Sequence, residues 1–112
     1  MKLTITILML DKLWQYIIKN RAGWRCEMCG DGKSGLHAAH IIGRGAMWTR
    51  WRLRNGLGLC PACHNDVKIK SWLQVNDPRR WRWVLRQRAT IHRGRGPDLE
   101  TEYRRLRRKE AA

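Results

Sequence analysis

Carboxylates are scarce in this chain: nine Asp and Glu stand against 24 Lys and Arg in 112 residues, a net charge of +15. Charge of one sign at this density exceeds what solubility asks of a small domain, and it is useful only against a polyanion. Nucleic acid is therefore the expected partner. No separable basic tail accounts for the excess, since residues 1–60 carry ten basic and three acidic groups and residues 61–112 carry fourteen and six. A long hydrophobic run is missing too. The opening MKLTITILML is apolar but far shorter than a bilayer span, and Asp11 follows it without a small-residue cleavage site. The expectation is a soluble, intracellular protein with no membrane partner. No internal repeat is present, and the length leaves room for one modest core but not for a second enzyme-sized domain.

No cysteine is left over. The four occur as Cys26-Glu27-Met28-Cys29 and Cys60-Pro61-Ala62-Cys63, two CxxC pairs separated by 30 residues. Each pair sets two thiolates at a spacing suited to one tetrahedral ion, and two pairs complete a structural zinc site. Two disulfides are the alternative. A reducing compartment disfavours them, and a bridge across so short a span constrains the unfolded chain very little.

Between these pairs the pattern is that of a small α+β domain. Leu13, Trp14, Ile17 and Ile18 share a helical face, with Asp11 as a cap and Gly23 as a stop, so a helix is expected over about 11–22. Residues 3–9 read as a short strand or a lead-in. LHAAHII (36–42) reads as a half-buried strand, GRGAMWTRWRLR as a loop, and Leu57 and Leu59 as a second strand after an Asn55-Gly56 turn. Cys60-Pro61 looks like the start of a helix reaching about Leu73. Asp77-Pro78 caps another, in which Trp81, Val84, Leu85 and Ala89 recur at helical spacing, and Asp98 to Lys109 forms a last helix with Leu99, Tyr103 and Leu106 as its apolar stripe.

The order His40, Asn55, His64, bracketed by the two CxxC pairs, carries a resemblance. LDKLWQYIIKNRAGWRCEMCG (10–30), LHAAHIIGRG (36–45) and TRWRLRNGLGLCPACH (49–64) resemble the HNH endonucleases, in particular small phage-type members. The likeness spans roughly residues 11–90, and the nine-residue step from Asn55 to His64 is the family's usual spacing. It implies a single nuclease domain over 1–112: a ββα-metal (His-Me finger) core at about 24–75, the helix at about 11–22 on one side, basic helices at about 78–109 on the other. It implies His40 as general base toward a water attacking a DNA phosphate, which needs a pKa near neutrality. His64 becomes a ligand to one catalytic divalent cation, Mg, Mn, Ni or Zn, beside the structural zinc of Cys26, Cys29, Cys60 and Cys63. Asn55 becomes the organiser whose amide bonds across the hairpin. The implied setting is a bacterial host cytoplasm, with DNA as substrate and phage packaging or recombination proteins as partners.

Each residue also has a plainer reading: His40 as a half-buried strand histidine, Asn55 as the first residue of a type I′ turn, His64 as a zinc ligand beside Cys63. The basic residues Arg44, Arg50, Arg52, Arg54 and Lys68, with Arg79, Arg80, Arg82 and Arg86 in the arginine-rich stretch 79–95, are the expected phosphate contacts. Trp48 and Trp51 interleave the loop arginines and belong either to the grip on DNA or to the core.

The chain departs from the family at Ala39, where an Asp or His ligand normally precedes the base. Lys68 stands where some members have a further ligand, and Arg52, Leu53 and Arg54 where many have Asp and Pro. On a strand, residues 37 and 39 share a face opposite His40 and lie about 7 Å apart. His37 is thus the candidate second ligand. The alternatives are His64 alone, its shell completed by water, Asn65 or Asp66, and a catalytically impaired zinc-containing module that binds DNA or RNA without cutting it.

Overall fold

Thr6 decides where the first helix begins. Its hydroxyl accepts the Met9 N–H at 3.2 Å, so α1 (Ile7–Arg21) starts four residues ahead of Asp11, and the stretch expected as strand or lead-in is helical from residue 7. The computed structural model describes residues 4–92, 94 and 96–111. After α1 come β1 (His37–His40), the one-turn α2 (Met47–Arg50), a 3-10 turn at Leu53–Asn55, β2 (Gly56–Leu59), α3 (Asp66–Asn76), α4 (Pro78–Ala89) and α5 (Leu99–Ala111). The expected arginines at 93 and 95 lie outside the described residues. No helix among those described is long and apolar enough to cross a membrane.

β1 and β2 form an antiparallel pair, with His37 opposite Leu59, Ala39 opposite Leu57 and His40 opposite Gly56. Side chains alternate across this hairpin, and each face meets its own hydrophobic cluster. Ala39, Leu57 and Leu59 join Cys26, Cys60, Ile69, Leu73 and Val84 on the side of α3 and α4. The opposite face packs on α1, where Leu10, Leu13, Trp14, Ile17 and Ile18 form the second cluster with Trp51 and Leu106 of α5. The sequence Gly-Leu-Gly-Leu of β2 explains the asymmetry. A Cβ on Gly56 would collide with Ile18 and come within 2.7 Å of Trp14, and one on Gly58 would reach Ala22 at 2.8 Å. Glycine on one face thus lets α1 lie directly against the strand, while leucine on the other fills the core.

Two further boundaries differ from expectation. The helix after the second CxxC starts at Asp66 rather than Pro61, because the Cys60 carbonyl accepts the N–H groups of Cys63 and His64 and closes a turn. Asn65 then caps α3 by accepting from Val67 and Lys68. His64 consequently sits in the link before the helix. Asp11, in the interior of α1 and half-buried, is no cap. Its carboxylate takes a bidentate pair from Arg50 at 3.0 and 2.7 Å and the Trp51 indole N–H at 2.9 Å, locking the loop to α1. At α4 the cap expected from Asp77-Pro78 is present, with the Asp77 carboxylate accepting the Arg80 N–H.

Candidate functional site

The four cysteines converge. Their sulfurs all lie within 4.8 Å of one another, and Cys29 and Cys60 are 3.6 Å apart. Four sulfurs at 2.3 Å from one tetrahedral ion would sit about 3.8 Å from each other, so the set fits a structural zinc site, and all four cysteines are free of disulfides. Backbone geometry prepares the site. Burial by itself would raise the Cys26 thiol, but hydrogen bonds from the backbone of Cys29, Cys60 and Met28 outweigh it and bring it down to about 6, so one thiolate is available to start metal capture. Cys63 is pushed the other way, to about 12, by burial and by the three facing sulfurs. Glu27 ties the knuckle to the hairpin through its own N–H to the Gly58 carbonyl at 2.8 Å and its carboxylate to the Gly58 N–H at 2.6 Å.

His37 and His64 meet beside this knuckle. Their Nδ1 atoms are 3.0 Å apart, although 27 residues separate them in sequence. Two cis imidazoles on one ion at 2.1 Å would show the same separation, about 3.0 Å, so the pair offers two converging donors to a divalent cation. Both rings are exposed. Among the described residues the cysteines are the one group of three or more His, Cys, Asp or Glu that draws its ligand atoms together. Ala39 is 1% exposed and packs in the core between the strand and α3, with no ligating atom to contribute.

His40 is held differently. Its ring stacks on Trp14 with centroids 4.0 Å apart and planes 12° apart, and its Nε2 lies 2.9 Å from the Arg50 carbonyl. A carbonyl can only accept, so Nε2 carries the proton and Nδ1 keeps its lone pair. Burial lowers the His40 pKa below its ordinary 6.5, and the nearby Arg44 and Arg50 charges push the same way against the Arg50 carbonyl and Asp11. The ring is therefore neutral at pH 7 in one defined tautomer. It lines a cleft of about 370 Å³ together with Gly43, Asp66, Lys70, Trp81 and Arg88.

Asn55 is fully buried and satisfied at every turn. Its carbonyl accepts the Ile42 N–H at 2.7 Å, and its amide donates to the Ile42 carbonyl at 3.0 Å and the Thr49 carbonyl at 3.1 Å. It does not occupy a type I′ turn: it ends a 3-10 turn and clamps the residues just after β1 to the strand that follows. The loop behind His40 is thereby fixed at both ends, by Asn55 and by the Asp11–Arg50 pair.

The arginines divide into two groups. Arg50 is spent on Asp11 and the Arg44 carbonyl, and Arg80 on Asp77 and the Gly56 carbonyl, so both hold the fold. Arg44, Arg54, Arg79, Arg82 and Arg86 are exposed, and Arg52 is half-buried. Lys68 folds back, its Nζ donating to the Ala62 carbonyl at 2.9 Å. Trp51, 2% exposed, is core, whereas Trp48 is half-buried and stacks on His92. Sequence reasoning placed Asp66 only as an alternative ligand beside His64 and Asp11 only as a helix cap, and it did not single out Lys70 or Arg88 as site residues. Trp14 had shown only as one apolar position on a helical face.

No protein-family model, curated protein or solved structure matches this chain. Its chemistry is read from its own residues.

Proposed function

We propose that the chain is a metal-dependent endonuclease of the HNH type that hydrolyses DNA phosphodiester bonds in the cleft at His40, with β1, β2 and α3 as a ββα-metal core. The observation that supports this reading best is the setting of the His40 imidazole: stacked on Trp14, with Nε2 2.9 Å from the Arg50 carbonyl so that Nδ1 keeps its lone pair, and with burial holding its pKa below the ordinary value. This is the form a general base must have before it can take a proton from water. In the proposed reaction Nδ1 accepts that proton as the water oxygen attacks phosphorus in line, and the ester oxygen opposite departs. Lys70 and Arg88, lining the same cleft, neutralise the charge gathered on the phosphate oxygens. His64, with His37 or with Asp66, would hold a divalent ion, which would supply Lewis-acid stabilisation of the leaving oxygen. The exposed arginines of α4 grip the flanking phosphates without reading sequence.

A second reading, a zinc-bearing module that binds DNA without cutting it, is favoured by one observation. His37 and His40 are three residues apart on opposite faces of β1, so their Cα atoms stand about 10 Å apart along the strand, and buried Ala39 cannot bridge them. Plasmid nicking with Mg, Mn, Ni or Zn separates the readings. Wild type is expected to nick, and His40→Ala to lose at least about a hundredfold in rate while still binding DNA. Equal background from both proteins, with binding intact, would leave only the binding module.

A further inference from the structure

Four clefts of this molecule share lining residues in series. Arg88 lines both the His40 cleft and a second one, of about 460 Å³, beneath Gly45 and Ala46. That second cleft shares Trp48, Gln87 and His92 with a third, of about 570 Å³, and Arg54 leads from the third into a fourth, of about 450 Å³, walled by Arg79, Arg80, Arg82 and Arg86. Neighbouring clefts thus share lining residues along α4 away from His40, and their character changes along the way.

The third cleft is the unusual part. Trp48, Trp83 and His92 supply flat aromatic surface, and Arg52, Arg54 and Lys109 supply cations that have no acidic partner among the described residues. Trp51 lines it too but is buried, its indole N–H fixed on Asp11, so it cannot move to admit a guest. His92 already lies on the Trp48 indole, centroids 5.1 Å apart and planes 22° apart, as a planar heterocycle stacked there would. Aromatic faces rimmed by unpaired cations suit a ligand that is flat at one end and anionic at the other. A base stacked in a duplex cannot offer its face, so a paired strand would pass this cleft by. The volume is that of a pocket for a small organic ligand, within the usual range of about 300–1,000 Å³.

We propose that the Trp48–Trp83–His92 cleft binds one unpaired nucleotide of a DNA strand, its base stacked on Trp48 and its phosphates on Arg54 and the α4 arginines, so that the chain selects DNA with a bulged, flapped or single-stranded segment. As a statement about substrate it rests on the nuclease reading; as a statement about binding it does not. The test uses the zinc-loaded full chain carrying His40→Ala, so that no probe is cut. Three probes of equal length are compared by fluorescence anisotropy: a perfect duplex, the same duplex with one extrahelical 2-aminopurine, and the single strand. The bulged and single-stranded probes are expected to bind at least about tenfold more tightly than the duplex, with 2-aminopurine emission quenched by stacking. Adding Trp48→Ala should erase the preference and the quenching while leaving duplex affinity within twofold, and Trp48→Tyr should restore both. Arg54→Gln should weaken all probes and leave the quenching at saturation. Equal affinity for the three probes, or quenching that survives Trp48→Ala, would overturn the proposal. Failure of wild type to cut any DNA, with the preference intact, would remove the nuclease reading and leave this site standing.

Discussion

β1 is four residues long and carries a histidine at each end, and the two are treated in opposite ways. His40 faces α1, where Trp14 covers its ring and the Arg50 carbonyl fixes one nitrogen. His37 faces the other way, exposed beside the zinc knuckle, with only His64 against it. The alternation of a strand is enough to send them apart, and what each meets decides its chemistry. An imidazole with a fixed tautomer and no proton on Nδ1 is suited to moving protons; a pair of unconstrained imidazoles is suited to holding an ion. The supports differ as well. His40 depends on contacts within an apolar cluster and on one half-buried ion pair, whereas His37 and His64 depend on the link between β2 and α3, which the cysteines shape.

The largest effect should therefore come from removing the cysteine site. Metal analysis is expected to find about one zinc per chain, and a strong chelator or Cys60→Ser should abolish the cooperative thermal transition, because site formation contributes on the order of 10 kcal/mol to folding in small zinc domains. Residue-resolved amide hydrogen exchange should show protection lost first in α3 and α4, on the knuckle side. An unchanged transition in zinc-free protein would show that the hydrophobic clusters suffice without it.

A smaller and more local effect is expected on the other side of the strand. Asp11→Ala strands the Arg50 guanidinium, whose side chain is only 16% exposed, and removes the acceptor of the Trp51 indole. Leaving this half-buried charge with only the Arg44 carbonyl costs about 1 kcal/mol, read as a drop in the denaturant midpoint. Because Arg50 also lends its carbonyl to His40, the variant should release the His40 tautomer, detected as mixed Nδ1–H and Nε2–H signals by nitrogen NMR. His37 and His64 should stay paired. A retained single tautomer would mean that Trp14 stacking alone holds the ring.

The two sides of the strand were also unequally legible in the sequence. The cysteine site, the helix cap at Asp77 and the pairing of LHAAHII with the second strand rest on local spacing and turn chemistry, which a sequence displays directly. Asp11 looked like a helix cap because a capping residue and an interior residue one turn later differ only by where Thr6 starts the helix. Arg50 looked like a phosphate contact because its partner lies 39 positions away. Cys60-Pro61 carries a proper helix-start signal, yet the Cys60 carbonyl is drawn into the knuckle turn, and the helix waits for Asn65. The stacking of Trp14 on His40 leaves no trace in either residue's neighbours. What escaped reading was tertiary partnership, and it gathers around His40.

The smallest effect, and the sharpest separation of the two histidines, is in pH. His40 has its pKa lowered by burial, so the folded state binds fewer protons than the unfolded chain between its native pKa and 6.5. Unfolding free energy then rises with pH across that interval. The contribution of His40 is fully present above 6.5 and is lost as pH falls through its native pKa. Asp11 obeys the same sign in a lower window: burial alone would raise its pKa, but the bonds from Arg50 and Trp51 win and hold it below 3.8, so its contribution is kept above 3.8 and lost on further acidification. His40→Gln should flatten the upper step of the stability profile, and Asp11→Asn should remove the lower step while moving the upper one to lower pH, since the Asp11 charge raises the His40 pKa. Nicking by the wild type should likewise gain its acid limb at the native pKa of His40, below 6.5, since only the neutral ring accepts a proton. An acid limb above 6.5 in kcat/KM, which reports the free protein, would assign the controlling proton to another group, and His40 would lose its place as the base.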